Sequence, residues 1–110
     1  MRMHEYQEDA HSTSLNTDIR GDTVLYPVLG LANEAGEVAG KFKKLFRDKN
    51  GEYDEEFKEA ITKELGDVFW YLAEVCTQLD IELEIVAYWN LVKLGKRQAE
   101  DKIKGDGDDR

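Results

Sequence analysis

The chain has 110 residues and a formal net charge of −9, with 41% hydrophobic and 35% charged residues. This length suits one compact domain rather than two. An acidic surface repels phosphate backbones, so the composition argues against nucleic acid polymers as partners, and a small phosphorylated ligand would need a local cation. A single proline among many helix formers disfavours a β-rich fold.

The sequence offers no sign of a membrane or secreted protein. No apolar run approaches the length of a bilayer span, and the polar residues 1–9 do not resemble a signal peptide. The lone Cys76 excludes an internal disulfide, and its apolar helical surroundings indicate a buried thiol. We therefore expect a cytoplasmic protein.

The first two predicted helices are separated by a polar loop. The first helix is predicted from Met3 to Leu15, and a loop follows over residues 17–22, where Gly21 and Asp22 are typical turn residues. The second helix is predicted to begin near Thr23, with Pro27 tolerated in its early part, and to end near Arg47.

The second half of the chain is predicted to hold two further helices and a tail. Asp54 is the expected N-cap of a third helix that ends near Gln78, and Asp80 is the expected cap of a fourth that ends near Lys102. Residues 1–104 are then one domain, and the Gly-rich charged residues 105–110 are predicted to be disordered.

Apolar residues recur with the helical period along the second and third helices. Long amphipathic helices joined by short loops predict an all-α antiparallel bundle of about four helices. The fourth helix carries two apolar strips instead of one, and we expect one surface to pack inside the chain and the other against another subunit. The strips of the fourth helix are Ile81, Ile85, Tyr88 and Val92, and Leu83, Ala87 and Leu94.

Two pairs of carboxylates border the apolar stripes of the second and third helices. On a helical wheel, Glu34 and Glu64 touch the edge of their stripes, and Glu37 and Asp67 lie just outside them. If the two stripes face each other, four anions meet beside an apolar core. A divalent cation would neutralise them, and oxygen ligands alone favour Mg²⁺ or Mn²⁺ over zinc.

A single pair of this kind also has an ordinary explanation. Glu37 and Lys41 are four residues apart, as are Lys63 and Asp67, and such pairs commonly decorate helix surfaces. Spacing alone therefore leaves open whether the acids form a metal site or a solvated face.

The two acidic motifs together resemble a known signature. Glu34-Ala-Gly-Glu37, followed after 26 residues by Glu64-Leu-Gly-Asp67, is similar to the E-x-x-E … E-x-x-D pattern of MazG-like nucleotide pyrophosphohydrolases. The resemblance covers about residues 6–97. It implies an all-α enzyme, active as a homodimer or homotetramer, that binds Mg²⁺ through the four acids. The implied reaction converts nucleoside or deoxynucleoside triphosphates to the monophosphate and pyrophosphate, as house-cleaning of nucleotide pools.

Substrate contacts are expected from two further segments. Asn90, Lys93 and Arg97 share one face of the fourth helix and resemble the family's N-x-x-K-L-x-x-R segment, which implies contact with phosphate; the alternative is a solvated basic face. Tyr71 is expected to face the acids, whereas Trp70 either packs on another subunit or contacts the nucleotide. Either Glu34 or Glu37 is the expected residue that orients or deprotonates the attacking water.

Two rival interpretations remain. A phosphoribosyl-ATP pyrophosphohydrolase shares the acidic core with this family, and a non-catalytic helical module could bind metal for stability alone. Glu8-x-x-His11 resembles half of a di-iron motif, but the second half is absent, so we discount an iron site.

Overall fold

A computed structural model describes residues 1–109, and Arg110, the last residue of the predicted disordered tail, lies outside them. The described residues form four helices and no β-strand, which confirms the predicted all-α class. Short turns connect the last three helices, whereas the first two are joined by a longer loop over residues 12–24, in which one isolated β-bridge joins Ile19 and Asp22. None of the helices has the length and apolar composition of a bilayer span. The helices are α1 (Met3–His11), α2 (Leu25–Asp48), α3 (Glu55–Gln78) and α4 (Leu83–Ala99).

Helices α2 and α3 form an antiparallel hairpin with well-defined ends at the turn. The Asp54 carboxylate accepts a hydrogen bond from the Phe57 backbone N–H at 2.8 Å, which confirms Asp54 as the N-cap of α3. Helix α2 ends where Asn50 adopts a left-handed φ of 59°. The Phe42 and Phe57 rings pack edge to face at 5.0 Å and close this end of the hairpin.

Close to the other end of the hairpin, the Tyr71 ring lies directly on the backbone of α2. A Cβ atom placed on Gly30 would collide with Cε1 of this ring, so only glycine allows the contact. Glu34 follows Gly30 by one helical turn, and Asp67 precedes Tyr71 by one turn. In an antiparallel pair, this contact therefore places Glu34 opposite Asp67.

The predicted role of Asp80 was wrong. Asp80 has a φ of 58° and ends α3, since the Ile81 N–H returns to the Cys76 carbonyl at 2.8 Å in the manner of a Schellman motif. The first turn of α4 is capped instead by Gln7 of α1, whose Oε1 accepts a hydrogen bond from the Leu83 N–H at 2.8 Å. The Gln7 side-chain amide also donates to the Ile81 carbonyl at 2.9 Å, so it ties α1 to the α3–α4 turn.

The first and fourth helices end earlier in the sequence than predicted. Helix α1 stops at His11 because the Ser12 and Thr13 hydroxyls donate to the carbonyls of the preceding turn, which competes with further helix formation. Helix α4 stops at Ala99, and the left-handed Asp101 follows it.

The described chain does not close a four-helix bundle by itself. Helix α3 contacts the other three helices, α1 contacts α4, and α2 and α4 do not touch. The buried core is correspondingly small, centred on Ala73, Cys76 and Leu83, with Cys76 a buried free thiol as predicted. The radius of gyration is 17.0 Å, against about 13 Å for a compact domain of this length. Much apolar surface on α2 and α4 therefore has no partner within the described chain.

We predict that Gly30→Ala lowers the free energy of unfolding by about 1–3 kcal/mol, the cost of overpacking a tight contact. The matched control is Gly36→Ala in the same helix, where a Cβ would meet no atom within 4 Å. That substitution should raise stability by up to about 1 kcal/mol, because alanine favours helix over glycine. Urea denaturation followed by circular dichroism measures both. Equal stability of the two variants would disprove the close Gly30–Tyr71 contact.

Candidate active site

Three of the four predicted acids meet at the interface between α2 and α3. Glu34 of α2 and Glu64 and Asp67 of α3 each bring a carboxylate oxygen to within 4.8 Å of the others. Glu34 and Glu64 are half-buried, whereas Asp67 is exposed. This acidic cluster has the oxygen-only composition that hard divalent cations prefer.

Glu37 lies outside this cluster. It is exposed and one turn beyond Glu34 on α2, on the side toward Glu64. Its charge nevertheless reaches the cluster, since it contributes to the electrostatic environment of Glu34. The structure thus brings Glu34, Glu64 and Asp67 together, and the role of Glu37 as a ligand stays a prediction.

Repulsion within the cluster falls most heavily on Glu34. Burial raises the pKa of the Glu34 carboxyl, and the negative charges of Asp67, Glu64 and Glu37 raise it further. A bound cation would relieve this repulsion, and carboxylates from facing helices are suitable ligands for Mg²⁺ or Mn²⁺. The donor set therefore fits a divalent metal ion, although the geometry alone does not specify which one.

A lysine, Lys41, borders the cluster on the side of the α2–α3 turn. Its Nζ lies 3.9 Å from Oε1 of Glu64, so it pairs across the hairpin. The sequence suggested a pair with Glu37 on the same helix, whereas the structure directs Lys41 toward α3. Lys41 thus provides positive charge beside the acids, and sequence reasoning did not select it as a site residue.

Two aromatic side chains lie on the opposite side of the acids. Trp70 and Tyr71 line an open depression of about 350 Å³ together with Glu34 and Asp67. Burial raises the pKa of the Tyr71 hydroxyl, as do a hydrogen bond with Tyr26 and the nearby charges of Glu34 and Asp67. Tyr71 thus lines the same depression as Glu34 and Asp67, and its contact with a substrate stays a prediction.

Trp70 has a partner that the sequence did not reveal. Its indole N–H donates to the Thr13 hydroxyl at 2.9 Å and to the Ala10 carbonyl at 3.2 Å, at the end of α1. The ring thus packs within its own chain while one part of it borders the depression. Contact between Trp70 and a nucleotide stays a prediction.

The predicted phosphate-binding residues lie on a separate part of the fold. Asn90, Lys93 and Arg97 belong to α4, which does not touch α2. Lys93 and Arg97 instead hold the Asp108 carboxylate of the tail at 3.0 and 3.4 Å, and the hydrogen bond from Lys93 is the main cause that lowers the pKa of Asp108. An anion therefore already binds this basic face in the described chain.

A buried polar network joins α1, the α1–α2 loop and α3, and sequence reasoning missed it. Glu74 is only 2% exposed, and its carboxylate lies 2.8 Å from Nδ1 of His11. Gln78 donates to Glu74 at 3.0 Å and to the Asn16 side-chain oxygen at 2.8 Å. His11 thus holds α1 on α3 through its contact with Glu74.

Comparison with known proteins identifies the family. The MazG nucleotide pyrophosphohydrolase domain matches residues 23–100, which include all four acids and the whole of α4. Gene 37 protein of Mycobacterium phage L5, whose name describes no activity, is 46% identical over 85 residues, or 77% of this chain and 75% of that protein. No solved structure gives a significant match. The chain belongs to the MazG nucleotide pyrophosphohydrolase family, as its acidic motifs predicted, and this membership supports nucleotide pyrophosphohydrolysis as its general activity.

We predict that Glu34→Gln stabilises the metal-free protein at neutral pH. Because the pKa of Glu34 is raised in the folded state, its ionisation costs stability as pH rises above the ordinary range of a glutamate. The gain should therefore shrink in mild acid, where Glu34 is protonated. Adding Mg²⁺ should raise the Tm of the wild type more than that of the variant, since the variant has lost a charged ligand.

Thermal unfolding with and without Mg²⁺, at neutral and mildly acidic pH, measures these shifts. Glu59→Gln removes one exposed glutamate of α3 away from the cluster and is the matched control. A Mg²⁺-induced rise in Tm that is equal in the wild type and in Glu34→Gln would argue against Glu34 as a ligand.

Proposed function

We propose that this protein hydrolyses nucleoside or deoxynucleoside triphosphates to the monophosphate and pyrophosphate, with Mg²⁺ as the cofactor and Mn²⁺ as a substitute. The observation that carries the proposal is the acidic cluster of Glu34, Glu64 and Asp67 between two helices of a MazG domain. The adjoining aromatic depression offers space for a nucleotide next to these acids. The proposed physiological role is house-cleaning of nucleotide pools, and the cytoplasmic location stays a prediction.

The proposed ligands are the four acids of the two motifs, Glu34, Glu37, Glu64 and Asp67. Bound there, a divalent cation would neutralise phosphate charge and acidify a water molecule. In the proposed reaction a water oxygen bonds to the α-phosphorus, the bond from that phosphorus to the bridging oxygen breaks, and pyrophosphate leaves. The water gives its proton to a carboxylate, for which the raised pKa of Glu34 is favourable, with Glu37 as the alternative.

We propose that the site is completed by a second copy of the chain, in a homodimer or homotetramer. Helix α4 leaves Tyr88, Trp89 and Leu91 more than half exposed, and the radius of gyration of 17.0 Å is that of an incompletely packed domain. Since α4 does not touch α2, which carries Glu34, we expect Lys93 and Arg97 to approach a triphosphate on the acids from another subunit. The Asp108 carboxylate held by both residues supports a role in anion binding.

We predict that Asp67→Asn lowers kcat by at least about two orders of magnitude, since a metal ligand contributes several kcal/mol to the transition state. Glu37→Gln should act in the same direction. The assay incubates each NTP and dNTP with Mg²⁺ and identifies the products by chromatography. Circular dichroism should show an unchanged helical fold, and Glu59→Gln is the matched control with full activity.

Two results would contradict this proposal. Release of free phosphate and a diphosphate would show cleavage at a different bond. Full activity of Asp67→Asn, with a fold like that of the wild type, would remove the acidic cluster from the reaction.

We predict that two weakened variants restore a functional site when they are mixed. In a hybrid of Asp67→Asn and Lys93→Ala subunits, one site would combine intact acids from one subunit with an intact Lys93 from the other. Lys93→Ala alone should raise KM, because the lost residue binds phosphate, and the hybrid should regain a fraction of sites with the wild-type KM. Subunits are exchanged by unfolding and refolding together, and KM is measured afterwards.

The control for this experiment is the mass of the assembly. Sedimentation equilibrium of the wild type should give a multiple of the 12.6 kDa chain. A monomer at micromolar concentration, or a hybrid in which KM stays at the Lys93→Ala value, would show that the sites are not shared between subunits.

A further inference from the structure

A second cavity adjoins the depression over the acids, and the proposed reaction assigns no role to it. It has a volume of about 170 Å³ and lies between the α1–α2 loop and α3. Trp70 and Tyr71 line both this cavity and the depression that borders Glu34 and Asp67. The cavity therefore lies directly beside the depression over the acids.

The size of the cavity suits one flat ring rather than a whole nucleotide. Complete small-molecule sites occupy about 300–1,000 Å³, so 170 Å³ is a side chamber of a larger site. The Tyr26 and Tyr71 rings line it with their centroids 6.3 Å apart, and such faces stack on nucleic acid bases. The chamber thus has the dimensions and the aromatic surface for a single-ring base.

Hydrogen bonds in this chamber fix the orientation of the Gln78 side-chain amide and, through it, that of Asn16. The Glu74 carboxylate accepts from the Gln78 side-chain amide, so the Gln78 nitrogen points toward Glu74. The same nitrogen donates to Asn16, whose side-chain oxygen must therefore face Gln78. The remaining Gln78 oxygen accepts from the Thr23 hydroxyl at 2.8 Å, which leaves Gln78 no freedom to turn over.

This arrangement leaves the Asn16 amide nitrogen without a hydrogen-bond partner among the described residues, although Asn16 lines the chamber. An N–H donor at the wall of an aromatic chamber is suited to a ring carbonyl oxygen. Cytosine, uracil and thymine all carry such a carbonyl on a single ring, whereas adenine has none and guanine has two rings.

We propose that this chamber is the base-binding subsite and that it selects pyrimidine nucleotides, with Asn16 donating a hydrogen bond to a base carbonyl and the base lying against an aromatic ring of the chamber wall. The inference rests on the proposed function, because it places the phosphates of the same nucleotide on the acidic cluster. Asn16 acts here as a specificity-determining residue, and its orientation derives from the buried Glu74.

The test measures binding without turnover. The full-length protein is titrated in a calorimeter with dCMP, dTMP, dAMP, dGMP and inorganic pyrophosphate, each in the presence of Mg²⁺. We expect the two pyrimidine nucleotides to bind more tightly than the two purine nucleotides. Asn16→Gly should weaken pyrimidine binding about tenfold, roughly the effect of one hydrogen bond, and leave pyrophosphate binding unchanged.

The variants are chosen so that altered folding does not imitate a lost contact. Asn16 has a φ of 48° and Asn50 a φ of 59°, so glycine suits both positions, and Asn50→Gly at the distant α2–α3 turn is the matched control. Asn16→Asp keeps the oxygen that accepts from Gln78 and replaces the N–H donor with a charged acceptor oxygen. It should lose the preference for pyrimidines as Asn16→Gly does.

Equal binding of purine and pyrimidine nucleotides by the wild type would overturn the inference. So would an equal loss of pyrophosphate binding in Asn16→Gly, which would indicate a general effect on the site. Hydrolysis of triphosphates is assayed separately on the wild type. Pyrimidine selectivity without hydrolysis supports the subsite and contradicts the proposed enzyme, whereas hydrolysis without selectivity contradicts only the subsite.

Discussion

The contact between the Tyr71 ring and the backbone of Gly30 sets the register of α2 against α3. Because the helices are antiparallel, each turn away from this contact brings a carboxylate of one motif opposite a carboxylate of the other. Glu34 meets Asp67 after one turn, and Glu37 lies one turn further along α2, at the level of Glu64. The two motifs have the same spacing and opposite directions in space, which aligns their acids along the hairpin. A Cβ at position 30 would force the helices apart at this level.

The fold was most predictable where local chemistry decides the structure. The long apolar periods of α2 and α3 and the capping residue Asp54 depend on neighbours within a few residues, and the observed ends lie within about two residues of those predicted. Asp80 shows the limit of such reasoning. An aspartate near a helix start suits an N-cap, but it also tolerates the left-handed conformation that ends the preceding helix. The start of α4 is capped by Gln7, which lies more than seventy residues away in the sequence, so local reasoning could not identify its cap.

The candidate site divides in a similar way. The acidic motifs are visible in the sequence because regular helices preserve their spacing, and the facing of the two helices follows from their apolar stripes. The direction of Lys41 toward Glu64, the partner of Trp70 and the network at Glu74 depend on which helices become neighbours. Trp70 illustrates the reason. On the helical wheel its ring lies opposite the apolar stripe and has no partner on α3, whereas in the fold α1 covers that side of α3. Contacts of this kind require tertiary structure and leave no periodic signal.

The carboxylates of α3 experience two contrasting environments within a few turns of one helix. Glu74 is almost fully buried, yet His11 and Gln78 supply hydrogen bonds, so the protein itself satisfies this charge and uses it to fix the α1–α2 loop. Glu64 and Asp67 meet Glu34 instead, with Lys41 as a distant cation at 3.9 Å from Glu64. Three converging anions and one lysine leave negative charge uncompensated, and these charges add to the effect of burial, which is the main cause that raises the pKa of Glu34. The same helix thus holds one carboxylate whose charge the protein itself satisfies and two whose charges it satisfies only in part, and this contrast supports the proposal that Glu64 and Asp67 bind a metal ion.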